Sequence, residues 1–168
     1  FTAASALVFV LACAWLNPLC LALSPVALAW ILGYSYAKRF TSASHLWLGV
    51  ALGMAPVGAW AAVRGTLADP APWWLGAGVA LWTAGFDLLY ACQDAEFDRK
   101  AGLHAVPARY GIPAALRLSS FLHVLALGGF LLFARASGLG SWTWGSLAVV
   151  GAVILAGALF ALLGKKKE

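Results

Sequence analysis

Charge is what this sequence has least of. Charged side chains make up 10% of the chain, eleven Lys and Arg against six Asp and Glu, where a soluble domain carries about 25%. So few cannot coat a water-exposed globule, which excludes an ordinary soluble domain. A hydrophobic content of 63% excludes a disordered tail, and a chain this poor in charge is no nucleic-acid reader. From Phe1 to Ala37 there is no charged residue at all. Cysteine is scarce too. Cys13, Cys20 and Cys92 form no CxxC and no Cys/His ligand spacing, so neither a disulfide framework nor a zinc site is expected, and the three read as buried small apolar groups. No basic segment precedes the first apolar run in this sequence, so that run is not expected to be a signal peptide. Position 1 is Phe rather than Met, and the chain is expected to begin inside a longer protein. No internal repeat of solenoid type is visible.

What is present is a series of apolar runs. A bilayer core about 30 Å thick needs roughly 20 apolar residues per helix. Six spans are predicted: Phe1 to Leu16, Leu19 to Tyr36, His45 to Val63, Trp73 to Cys92, Ala114 to Ala134 and Trp142 to Leu163. Asn17-Pro18 separates the first two, because proline cannot continue a hydrogen-bonded helix. Lipid satisfies no backbone hydrogen bond, so spans are helices or closed barrels. The long runs lack strand alternation, and the expected fold class is all-α, a polytopic transmembrane helical bundle. Gly49 and Gly53 form a small-xxx-small pair suited to close helix contact.

The charges also sort by side. With six spans, Lys38, Arg39, Arg99, Lys100, Arg109, Arg117, Lys165, Lys166 and Lys167 share one side, against Arg64 and Arg135 on the other. That asymmetry places the first side in the cytoplasm, with the triple lysine read as a topology anchor. Trp73, Trp74, Trp142 and Trp144 fall at the opposite interface, as an aromatic belt would. The segment from Asp94 to Pro113 is the longest polar connection and exceeds an ordinary loop, which invites a functional reading.

Four of the six acids, Asp87, Asp94, Glu96 and Asp98, fall within twelve positions; Asp69 sits alone in a short outer loop and reads as solvated. On a helix, Asp94 and Asp98 lie on one face one turn apart, and Asp87, seven residues earlier, shares it. A bound divalent cation would relieve their repulsion. Magnesium takes hard oxygen ligands, commonly one or two carboxylates plus phosphates and waters. The face therefore suits a magnesium–diphosphate at a membrane surface, with Lys38, Arg39, Arg99, Lys100 and Arg109 supplying cationic partners. On spacing alone, a solvated loop explains Asp94 and Asp98 equally well. Asp87, inside the fourth span, costs about 2.5–3.5 kcal/mol at a bilayer centre, so it faces either a polar cavity or a buried Tyr, Trp or Arg.

These residues carry a resemblance. The run from Asp87 through Tyr90, Asp94 and Asp98 to Gly102 resembles the second aspartate motif of the UbiA superfamily of membrane aromatic prenyltransferases, and within it most resembles the 4-hydroxybenzoate polyprenyltransferases. Pro107-Ala-Arg-Tyr-Gly111 is similar too, and Tyr34 through Lys38-Arg39-Phe40-Thr41 resembles the family's Lys-Arg-x-Thr loop. Ala105-Val106-Pro107 departs from the serine that often precedes this proline.

The resemblance covers nearly the whole chain and implies a single transmembrane domain over residues 1–168, incomplete at both ends. It would correspond to helices three to eight of nine, without the first aspartate motif. Half of the metal site would then be missing, and the segment alone is expected to be inactive. The implied reaction is transfer of a polyprenyl group from polyprenyl diphosphate to an aromatic acid acceptor, 4-hydroxybenzoate in ubiquinone biosynthesis. Asp94 and Asp98 would hold Mg2+ on the diphosphate, Lys38, Arg39, Arg99 and Lys100 would neutralise its charge, and Asp87 and Tyr90 would orient the acceptor or its proton. The implied location is the bacterial inner membrane.

Alternatives stay open. A dihydroxynaphthoate acceptor in menaquinone biosynthesis suits the same wording around Asp87 and Asp94. A non-catalytic transporter or scaffold would need repeat symmetry or a through-path of acids. A phosphatidyl-alcohol transferase would need a glycine where Tyr90 stands. His104 is a further candidate to touch substrate. His45 is expected to start a helix and His123 to pack within the bundle. Tyr34, Tyr36 and Phe86 read as aromatic packing rather than as shields for a carbocation.

Overall fold

The computed structural model describes residues 1–163, with side chains as far as Gly157. Six long helices run through it: α1 (Thr2–Leu16), α2 (Pro18–Ala37), α3 (Ser44–Arg64), α4 (Ala71–Ala91), α7 (Ile112–Ala136) and α8 (Ser141–Leu163). Two short ones, α5 (Ala95–Lys100) and α6 (Val106–Tyr110), lie between α4 and α7. The long helices match the six predicted spans to within two residues at each end. Among the described residues there is no strand.

Three helices, α2, α3 and α7, are long and apolar enough to cross a membrane by length and composition alone, and α1 and Ser141–Gly157 of α8 are shorter apolar helices. The predicted fourth span, α4, is 21 residues long but falls outside that criterion. It carries Trp73, Trp74, Trp82 and Asp87, whose polar atoms lower its mean hydropathy. α4 packs between α3 and α7, which shelters Trp82 and Asp87, whereas Trp73 and Trp74 at its start are exposed.

Local chemistry sets each helix boundary. The Asn17 side chain accepts from the Cys20 backbone N–H at 2.9 Å and caps α2, while proline at the first helical position costs no hydrogen bond. The same side chain donates to the carbonyls of Ala61 and Ala62 at 2.9 and 3.2 Å. One amide thus turns the chain and ties that turn to the last part of α3. Asn17→Ala should lower stability by about 1–2 kcal/mol, read as a lower unfolding temperature in nanodiscs, and Asn17→Ser should recover only the capping share.

Pro25 inside α2 removes the N–H that would bond the Leu21 carbonyl. The buried Ser24 hydroxyl donates to that carbonyl instead, at 2.9 Å, which is how a membrane helix accommodates an interior proline. Farther along α2, the Trp30 indole N–H donates to the Trp47 carbonyl at 3.1 Å. The Trp47 indole returns the bond to the Trp30 carbonyl at 2.8 Å, the rings lying 4.8 Å apart.

Small residues let the central helices approach closely. A Cβ at Gly53 would lie 2.5 Å from the Gly76 carbonyl oxygen, and one at Gly76 would lie 2.7 Å from the Gly53 carbonyl oxygen. The α3–α4 seam is therefore backbone against backbone. On the other face of α4, the buried Ser119 hydroxyl of α7 donates to the Gly85 carbonyl at 2.7 Å.

The connections sort to two ends as the charge asymmetry predicts. The His104 N–H donates to the Lys38 carbonyl at 2.8 Å, so the α2–α3 connection and the long loop share one end. Arg64, Asp69 and Ser137 line one cavity at the other end, where the Trp73 indole N–H donates to the Leu67 carbonyl. Lys165, Lys166 and Lys167 lie outside the described residues.

Candidate active site

The long loop is two short helices folded back on the bundle. After Ala91 the chain tightens, with the N–H groups of Cys92 and Gln93 donating to the carbonyls of Leu89 and Tyr90, and α5 starts afresh at Ala95. This corrects one expectation. Asp87, Asp94 and Asp98 do not share a continuous helical face, because α4 stops between the first and the second. Asp94 stands exposed just before α5, and its carbonyl accepts the Asp98 N–H at 2.8 Å, one turn on.

Asp98 turns inward. It is 3% exposed, and its Oδ2 lies 3.6 Å from Lys38 Nζ, beyond hydrogen-bond length. Oδ2 has no hydrogen-bond partner among the described residues. A buried carboxylate oxygen left over in this way calls for a ligand. Ser42 Oγ, Ser44 Oγ and His104 Nδ1 are likewise buried without partners, and all three belong to the two segments that meet at Lys38 and His104.

The other expected cations are placed differently. Arg39 lies over the Tyr36 ring at 5.5 Å. Arg99 is exposed and donates from Nε to the Ala108 carbonyl at 3.3 Å, bracing α5 against α6. Lys100 closes an exposed pair with Glu96 at 2.7 Å. The structure therefore brings Lys38 to Asp98 and leaves Lys100 on the surface. Arg109 lies over its neighbour Tyr110.

Asp87 finds a partner that sequence reasoning did not name. Its Oδ2 lies 2.7 Å from His45 Nδ1. His45, at the start of α3, is 2% exposed, and its Nε2 accepts the Val106 N–H at 3.3 Å, at the start of α6. A backbone N–H can only donate, so Nε2 presents its lone pair and the ring proton sits on Nδ1, facing the carboxylate. The sequence signal was present but weak. His45 opens an otherwise apolar helix, and nothing local ties it to a residue 42 positions away.

Beside this pair runs an aromatic row. Phe86 and Tyr90 lie 5.5 Å apart, and His123 sits edge-on to Trp82 at 5.1 Å and to Phe86 at 6.4 Å. His123 donates from Nδ1 to the Ser119 carbonyl at 2.8 Å, and its ring covers Gly85, so it packs in the bundle as expected. Tyr90 is exposed beside Asp87. An apolar groove of about 410 Å³ opens between α2, α3 and α4 and is lined by Leu23, Val50, Met54, Val57 and Trp73 among others, but no candidate site residue reaches it.

Among the described residues, no group of three or more His, Cys, Asp or Glu is gathered to hold a metal ion. The donors present still fit magnesium, which asks a protein for only one or two carboxylates when phosphates and waters complete the shell. Asp98 offers an unpartnered buried oxygen, and Asp94 stands one turn away.

Comparison with known proteins agrees in kind with the resemblance. The UbiA prenyltransferase family matches residues 1–168. The chain is 33% identical over 106 residues to the mitochondrial 4-hydroxybenzoate polyprenyltransferase of Caenorhabditis elegans, covering 63% of this chain and 30% of that one. It is 38% identical over 97 residues to the 4-hydroxybenzoate solanesyltransferase of Synechocystis, covering 58% and 33%. The chain thus spans about a third of the length of these relatives. The apo structure of a UbiA homolog from Aeropyrum pernix K1 superposes with a TM-score of 0.84 at 38% identity, over 98% of this chain and 62% of that one.

Proposed function

This chain belongs to the UbiA prenyltransferase family, and from that premise we propose that it forms part of a membrane enzyme that transfers a polyprenyl group from its diphosphate to 4-hydroxybenzoate. The observation that carries this reading is the buried Asp98 carboxylate, facing Lys38 with one oxygen unpartnered. An acid and a base paired at 3.6 Å without a hydrogen bond, at the polar end of an apolar bundle, suit a metal-bound polyanion. The names of the relatives support the choice of acceptor. The asymmetry of basic residues supports a cytoplasmic placement of this end in the bacterial inner membrane.

The diphosphate binds at the polar end where Lys38 and Asp98 meet, with its isoprenoid tail among the apolar helices. Asp98, with Asp94, would hold magnesium, which supplies charge neutralisation on the departing diphosphate. Lys38 adds its own positive charge where negative charge develops, with Arg39 and Arg99 nearby in sequence and exposed to the same solvent. The C1–O bond breaks and its electron pair leaves with the diphosphate. A ring carbon of the phenol supplies the pair for the new C–C bond, and the proton on that carbon then passes to the released diphosphate or to water, restoring aromaticity. Asp87 accepts a hydrogen bond from the phenol hydroxyl, which raises electron density on the ring, and the tilted Phe86–Tyr90 pair offers aromatic surface on the same helix. Dry surroundings protect the allylic cation from water.

The test is an assay of the full-length protein in nanodiscs, with a polyprenyl diphosphate and either 4-hydroxybenzoate or a dihydroxynaphthoate. Prenylated 4-hydroxybenzoate is expected, with none formed after chelation of divalent cations. Product on the dihydroxynaphthoate alone would move the enzyme to the menaquinone branch. No product on either, from folded protein, would sink the reading.

A further inference from the structure

We propose that His45 is a positioning residue for the aromatic acceptor: it holds Oδ2 of Asp87, leaves Oδ1 for the acceptor's hydroxyl, and fastens that carboxylate to the loop that carries Asp98. The assignment rests on the prenyl-transfer reading above and goes beyond it, since that reading needs Asp87 but gives it no means of being aimed. A lone carboxylate on a helix within an apolar bundle is costly, and it rotates about two side-chain bonds. The His45 ring removes both difficulties. Its Nδ1 proton meets Oδ2 at 2.7 Å, the short distance of a hydrogen bond to a charged acceptor. Among the described residues no hydrogen bond reaches Oδ1, and the Asp87 side chain keeps 20% of its surface exposed while His45 keeps 2%. One carboxylate oxygen is therefore held from the buried side, and the other makes no hydrogen bond among the described residues.

The second ring nitrogen gives the contact its wider reach. Nε2 accepts the Val106 N–H. The segment leading to Val106 is pinned at Leu103, whose N–H donates to the Asp98 carbonyl, and at His104, whose N–H donates to the Lys38 carbonyl, both at 2.8 Å. The chain from Lys38 and Asp98 to Asp87 is continuous: two backbone bonds, three residues of loop and one imidazole. His45 thus sets the acceptor side of the site relative to the diphosphate side, which is the distance the new C–C bond must close.

The two bonds separate by mutation. His45→Asn places an amide N–H where Nδ1 was, so it keeps the contact to Asp87 and loses the one to Val106. His45→Gln reaches the position of Nε2 and loses the donor to Asp87. In the full-length protein in nanodiscs, His45→Gln is expected to raise KM for the aromatic acceptor about tenfold, the loss of one hydrogen bond to a charged group. His45→Asn should leave that KM within about threefold and instead raise KM for the prenyl diphosphate. In an Asp87→Asn background, His45→Gln should add less than about twofold to the acceptor KM, because the contact is already weakened. Should both histidine variants fail to fold, Val106→Pro removes the N–H while keeping an apolar side chain of similar size at this buried position, where proline is tolerated, and should reproduce the prenyl-diphosphate effect. Both histidine variants shifting the two KM values alike, full additivity with Asp87→Asn, or Val106→Pro without effect would overturn the positioning role while wild-type transfer stands. Wild-type protein that transfers nothing would overturn the underlying reading, and this one with it.

Discussion

Asp98→Asn is expected to slow prenyl transfer by about 10²–10³-fold, the scale of losing one fixed electrostatic contact at a site of developing charge. The substitution is nearly isosteric. It leaves the backbone bond from Leu103 N–H to the residue 98 carbonyl in place, so loop architecture is preserved and the loss reports on charge. Two explanations then need separating, because Asp98 faces Lys38 at 3.6 Å. If Asp98 served only to balance Lys38, then Lys38→Met would restore much of the activity lost in Asp98→Asn. If Asp98 holds magnesium on the diphosphate, the double variant falls below either single one, and Asp98→Asn alone raises the magnesium concentration needed for half-maximal rate by about tenfold. The second outcome is expected, since Lys38 stands 3.6 Å from Oδ2, beyond hydrogen-bond length, and leaves that buried oxygen without a hydrogen bond among the described residues. Glu96→Gln is the control. Its pair with Lys100 is exposed on both sides, and such pairs contribute little, so transfer should stay within about twofold.

The largest effect on folding is expected at Gly49. A Cβ there would fall on the Ala80 carbonyl oxygen and within 3.1 Å of the Ala84 Cβ. Neither neighbour is a flexible side-chain tip that can swing away, so the helices themselves must part. Gly49→Val should cost about 3 kcal/mol or more, seen as lost monodisperse protein on extraction or a sharply lower unfolding temperature. Gly49→Ala should show a smaller loss of the same kind. Gly58→Ala on the same helix, where nothing lies within 4 Å of the added carbon, should be tolerated. Gly49 follows His45 by one turn and Ala84 precedes Asp87 by nearly one. Any Gly49→Ala protein that does fold should therefore also show a raised acceptor KM, because the parted seam carries the 2.7 Å contact between those two residues.

The bundle could be read from the sequence because its information is local. A run of apolar residues ended by Asn17-Pro18 or by Lys38-Arg39 contains its own boundary, and the six long helices begin and end where such runs do. The site was legible only in part. Lys38, Asp87, Asp94 and Asp98 stood out as charge in apolar surroundings, but their mutual placement depends on where α4 stops. Seven-residue spacing implies a shared face only in an unbroken helix, and α5 and α6, at six and five residues, are too short to show a period. His45 was passed over because a histidine at a helix start has no local feature that announces a partner. Its role becomes visible only when α3, α4 and the loop are folded together.

The paired indoles of Trp30 and Trp47 act as a gauge of depth. Each holds the other helix's carbonyl, so α2 and α3 cannot slide along the bilayer normal without breaking both bonds. Trp30 lies eight residues before Lys38, about 12 Å along a helix, and one turn of slippage is about 5.4 Å. Trp47 lies two residues after His45. The pair therefore calibrates, from between the two helices, the height at which the lysine at the end of one meets the histidine end of the other. A slip of a single turn would exceed the 3.6 Å that separates Lys38 from Asp98. Two tryptophans with no chemistry of their own thus keep vertical tolerance for the candidate site at the end of these helices.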